Sequence, residues 1–155
     1  MKLELQKSTA KKLYPESPGW FQEILKENFG EDIAKKPDFR DIKTFDDACR
    51  HCGISEKVFN ESYKQLNLND DTVAYEKCKI IVKAINQGWV PDWDNTNQKK
   101  WWPWFRLSSG FGFDGSGYHF VGSYASVGSR LCFETKEKSD YAAKQFLDIY
   151  EQFQK

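Results

Sequence analysis

The tryptophan cluster after position 88 constrains the fold more than any other feature. Gly88 and Pro91 close the chain's most regular helical pattern. Five of its six tryptophans then fall within sixteen residues, at Trp89, Trp93, Trp101, Trp102 and Trp104. Before this stretch the apolar residues repeat at helical spacing. Ala74, Cys78, Ile81 and Ile85 keep one face apolar and Val82 widens it. After it the pattern is aromatic, β-branched and glycine-rich, which favours strands and turns. The stretch therefore joins a helical first part to a strand-forming second part.

Helix signals divide the first part. Ser17 and Pro18 open a helix that Gly30 closes, with Phe21, Ile24 and Leu25 on one stripe. Residues 31–43 read as a charged loop in which Ile33 and Phe39 reach the core. Thr44 followed by Asp47 is an acidic capping box, and the short helix it starts ends at Gly53. Ser55 caps a helix over residues 56–66. Residues 1–14 read as a loose arm or short strand. In the second part, strands are expected at 102–107, 118–125 and 130–135, with residues 108–117 as a turn-rich tip. Thr135 caps a final helix whose face is Ala142, Phe146, Ile149 and Phe153. Helices, then about three antiparallel strands, then a covering helix make an α+β fold, expected as one domain over residues 1–155. Residues 15–88 are mostly helical in this reading, and residues 100–155 run β-β-β-α.

Charge and cysteine content limit the function classes. Twenty-three basic residues balance twenty-three acidic ones. A neutral chain lacks the broad positive field of a duplex nucleic-acid binder. Four irregularly spaced cysteines do not form a secreted disulfide framework. No window approaches the roughly 20 apolar residues of a membrane span, and the N-terminus lacks a signal-peptide core. The expectation is a cytoplasmic protein with reduced thiols, no membrane contact and no cofactor.

Several motifs carry bland readings beside sharp ones. Cys49 and Cys52 have the spacing of half a zinc site, but no second close pair exists, so a buried helix face is expected and a metal is the weak alternative. Residues 45–62 can be laid on a helix-turn-helix, yet the would-be reading helix mixes Glu56 and Glu61 with Lys57 and Lys64. Gly110, Gly112 and Gly115 match a G-x-G-x-x-G string without the helix that a dinucleotide site needs. His119, Asp92 and Asp94 are the residues an unrecognised enzyme would use, and no reaction can be named from them.

Lys99, Lys100, Trp102, Trp104 and Arg106 form the most suggestive group. On a strand Trp102, Trp104 and Arg106 share one face, while Trp101, Pro103, Phe105 and Leu107 share the other. One face can feed the core, and the other would then offer tryptophans beside cations; the bland alternative is that both faces are buried, one by helices and one by the N-terminal half. Phe111 and Phe113, on the expected tip, join them as candidate contacts. Such a face suits a protein partner or self-association, because tryptophan and arginine dominate interface energetics. Stacking of single-stranded nucleic acid is the alternative.

Four phrases carry a resemblance. They are Ala84 to Trp93 (AINQGWVPDW), Trp102 to Phe105 (WPWF), Val127 to Phe133 (VGSRLCF) and Tyr141 to Phe146 (YAAKQF). Across about residues 70–155 the chain resembles uncharacterised proteins carried by prophages and mobile elements of anaerobic gut bacteria. The resemblance implies a phage-type accessory protein of the bacterial cytoplasm and supplies no catalytic residues.

Overall fold

A computed structural model describes residues 5–34, 38–107, 110–119 and 129–155. The fold is α+β, with seven helices and a two-stranded antiparallel sheet among the described residues. The chain divides into two compact units, Met1–Asp38 and Phe39–Lys155.

The first unit is small. Helices α1 (Lys7–Leu13) and α2 (Gly19–Phe29) bury Ala10 and Leu25 against Ile33, with Tyr14, Phe21 and Phe29 packed around them. Residues 7–13, expected as arm or strand, are helical because Ala10 belongs to this cluster. Residues 1–4 of the expected arm lie outside the described residues. Pro18, not Ser17, occupies the cap position of α2, and the Gln22 side chain joins the turn by donating to Tyr14 O at 3.0 Å and Ser17 O at 2.9 Å. Gly30 ends α2 at φ +89°. Ile24 points outward.

The second unit is built around α5 (Asp70–Asn86). Its buried residues include Ala74, Cys78, Ile81, Val82 and Ile85, the face read from their spacing. Helix α3 (Phe45–His51) packs on it after the expected capping box: Asp47 N donates to Thr44 Oγ1 at 3.1 Å, and Thr44 N donates to Asp47 Oδ2 at 2.8 Å. Helix α4 (Glu56–Gln65), capped by Ser55, follows and sets Phe59 edge-on to Phe45 at 5.1 Å. Gln87 in the left-handed region and Gly88 at φ +93° end α5.

The sheet is one hairpin, β1 (Lys100–Arg106) with β2 (Gly112–His119). Most of the expected glycine-rich tip is therefore strand. Of the expected strand at 118–125, residues 120 onward lie outside the described residues, as do Val127 and Gly128. The expected strand at 130–135 contributes a 3₁₀ turn, Ser129–Leu131, and a single antiparallel bridge between Trp101 and Phe133, with N–O distances of 3.0 and 2.8 Å. Pro103 explains why the bridge does not extend into a strand. In a strand, alternate residues aim their backbone groups at the same neighbour, so the next bond on the Phe133 side would need an N–H at 103, which proline lacks.

The expected single terminal helix is two, α6 (Lys136–Gln145) and α7 (Leu147–Gln154), separated at Phe146 (φ −118°, ψ 34°). Thr135 caps α6. α6 lies against the hairpin, where the Ser116 hydroxyl donates to Ser139 Oγ at 2.8 Å, and α7 packs chiefly on α5. Ala142, Phe146 and Ile149 are buried in the shared core with Tyr150. Only part of the expected helix face thus meets the strands.

Candidate functional site

The hairpin register assigns each residue of β1 a face. Trp101, Pro103 and Phe105 stand opposite Tyr118, Ser116 and Phe113. This side turns inward: the Phe105 ring lies 4.9 Å from Tyr150, and Trp101 packs on the core. Trp102, Trp104 and Arg106 stand opposite Gly117, Gly115 and Gly112 on the other side. A bulge at Asp114 keeps the glycines in step with the large side chains, because Trp104 pairs with Gly115 and Phe105 with Phe113. Each of these three large residues therefore faces a position without a side chain.

The glycines shape the surface. A Cβ at Gly117 would lie 2.6 Å from Trp104 Nε1, so the indole lies down across that glycine. Covering a strand glycine with a cross-strand aromatic compensates for its missing side chain. A Cβ at Gly115 would meet nothing within 4 Å, which leaves an open notch beside the indole. Arg106 borders the notch over Gly112, where Nη2 is 3.4 Å from a Cβ placed there. Trp104 remains 57% exposed, Arg106 is exposed and Trp102 is half-buried.

The other candidate contacts go elsewhere. Lys100 is fully buried. Its Nζ donates to Asp92 O at 2.6 Å and Asn95 O at 3.2 Å, and stands 5.3 Å from the Trp93 ring centre. The loop that receives it is closed by its own polar side chains. Asp94 N and Asn95 N donate to Asp92 Oδ1 at 3.0 and 3.3 Å, and Asp92 N donates to Gln98 Oε1 at 2.7 Å. The Asp92 carboxylate is thus engaged in holding this turn. Lys99 lies over the Tyr118 ring at 4.7 Å. Phe111 stacks on Phe105 at 5.0 Å and Phe113 meets it edge-on at 6.3 Å, so both join the inner side rather than an exposed tip. Lys155 and Lys144 stand over those two rings. Of the seven residues grouped from sequence, Trp102, Trp104 and Arg106 share the open face.

The cysteines behave as core. Cys49, Cys78 and Cys132 are buried free thiols, and Cys52 is half-buried with its Sγ 3.7 Å from Ile80 O. Burial pushes the thiol pKa up to about 11 for Cys49, about 12 for Cys78 and about 11 for Cys132, the reverse of what a reactive or metal-binding thiolate needs. No group of three or more potential ligands comes together among the described residues. The G-x-G-x-x-G glycines run into β2 and no helix follows them. Helices α3 and α4 border an open depression of about 860 Å³, lined by Asp46, Arg50, Glu56, Lys57 and Glu61 among others; Arg50 is paired with both Asp46 and Asp47.

Sequence reasoning missed the glycine floor and the exposed Tyr118. The signal was present in the chain: glycines at 112, 115 and 117 match the spacing of the large residues they oppose once one bulge residue is allowed. No protein-family model, curated protein or solved structure matches the chain. Among the described residues no helix is long and apolar enough to cross a membrane.

Proposed function

We propose that the chain is a non-enzymatic interaction module that contacts a protein through the outer face of its hairpin. The observation that carries this reading is an exposed Trp104 beside Arg106 on a face cleared by three glycines. Leaving a large indole in water forgoes the burial that stabilises most such side chains, and a partner would recover it. Tryptophan and arginine are the residue types that dominate protein interfaces. Of the cations once grouped with the tryptophans, Lys100 is withdrawn into the fold and Lys99 lies over Tyr118. A single-stranded nucleic acid would bring a phosphate with every stacked base and would meet few free cations on this face. The phage-type setting in a bacterial cytoplasm rests on the sequence resemblance alone and is part of the same proposal.

The test compares the parent chain with Trp104→Ala in nuclease-treated lysate of the cells that encode it, alongside the solution mass of each. The reading expects a captured protein, or a mass above monomer, that the substitution weakens by about 30-fold, the effect of losing an interface anchor worth about 2 kcal/mol. Capture that disappears with nuclease, or that Trp104→Ala leaves intact, overturns it.

A further inference from the structure

We infer that the partner presents an extended acidic segment, with an apolar side chain seated in the Gly115 notch against Trp104 and a carboxylate on Arg106. This rests on the protein-contact reading above and names the chemistry of what docks. Charge distribution is the first support. Setting aside the buried Lys100, residues 99–133 hold Lys99, Arg106 and Arg130 against Asp114, three basic to one acidic or a net +2, in a chain whose net charge is zero. Arg106 and Arg130 are exposed, and among the described residues neither has a carboxylate within salt-bridge distance. Arg50, by contrast, is paired with Asp46 and Asp47. A planar guanidinium left open on a protein surface matches a carboxylate through two parallel hydrogen bonds.

Shape is the second support. The indole rests on the Gly117 side of the notch, Arg106 borders the Gly112 side, and the space over Gly115 between them is open. Trp104 and Arg106 are two positions apart on one strand face, about 7 Å along the chain. Alternate residues of an extended peptide repeat at the same interval, so an apolar residue and an acid at positions i and i+2 would meet both groups.

The test uses the full chain and a random copolymer of glutamate and tyrosine as the probe, followed by tryptophan fluorescence and calorimetry. Polyglutamate and oligo-dT serve as comparison polyanions. The copolymer should bind, and binding should weaken as salt rises, because the attraction is partly between exposed charges. Trp104→Ala, Arg106→Gln and Gly115→Val should each weaken it about tenfold or more. Gly115→Val is the decisive variant, because its side chain enters open space at a strand position that favours β-branched residues, so the fold should survive while the notch is filled. Equal binding of polyglutamate would reduce the interaction to charge and overturn the inference. Oligo-dT that binds as tightly and competes would assign the face to nucleic acid. Unchanged affinity in Gly115→Val, or no copolymer binding, would also overturn it. Should Trp104-dependent protein capture persist in that last case, the protein-contact reading stands and only the acidic segment falls.

Discussion

Asn86→Ala probes how the hairpin is tied to the helices. Asn86 ends α5 at 4% exposure and uses both ends of its amide. Its Nδ2 donates to Cys132 O at 2.9 Å, and Glu134 N donates to its Oδ1 at 3.2 Å. These two bonds fix the segment that carries Phe133, whose bridge holds the outer edge of β1 at Trp101. Truncation leaves the buried Cys132 carbonyl without that donor, at a cost of about 1–3 kcal/mol. Glu134 is exposed, so its N–H can return to water, and losing that bond costs about 1 kcal/mol. The sum is about 2–4 kcal/mol, a large share of the stability of a small domain. Urea melts should show a lower midpoint with an unchanged slope. Hydrogen exchange should show the Glu134 amide losing protection. Melts within about 0.5 kcal/mol of the parent, with Glu134 still protected, would refute the clasp.

Phe146→Ala should cost about 3–5 kcal/mol, because Phe146 is 3% exposed in the shared core, and denaturant melts check it. The thiols give a pH test. Their folded pKa values, about 11 to 12 for Cys49, Cys78 and Cys132, lie above the ordinary value near 9. Between these values the unfolded chain releases protons that the folded chain keeps. Their contribution to stability is therefore complete below about pH 9 and is lost as pH rises through about 11. Melts across that range should show falling stability, and the same three cysteines should resist alkylation at neutral pH until the chain is unfolded. Prompt labelling of the native chain would contradict their burial.

Local signals in the sequence were enough for most helices. Thr44 with Asp47, Ser55, Thr135 and Gly88 mark ends that the structure keeps, because capping depends on residues three or four apart. The faces of β1 were also legible, since side chains alternate whatever the partner strand. What a partner decides was not legible. Gly112 to Gly117 look like turn residues by composition, and they form a strand because they pair with β1, with Trp104 lying over Gly117 and Arg106 over Gly112. Lys100 looked like a surface cation, and only the fold of the 92–98 loop brings two carbonyls onto its ammonium. Phe111 and Phe113 looked like tip residues until Phe105 supplied a ring to pack on. Pro103 carried a readable warning: a proline on an edge strand limits pairing on one side.

Photo-cross-linking from position 104 tests the central claim most directly. A benzoyl-phenylalanine replaces Trp104 in cells that encode the chain, and a second chain carries it at the buried Phe133. The account predicts an adduct from position 104 that protease destroys and nuclease leaves intact, with none from position 133. An adduct that nuclease removes, or position 104 as silent as position 133, would contradict it.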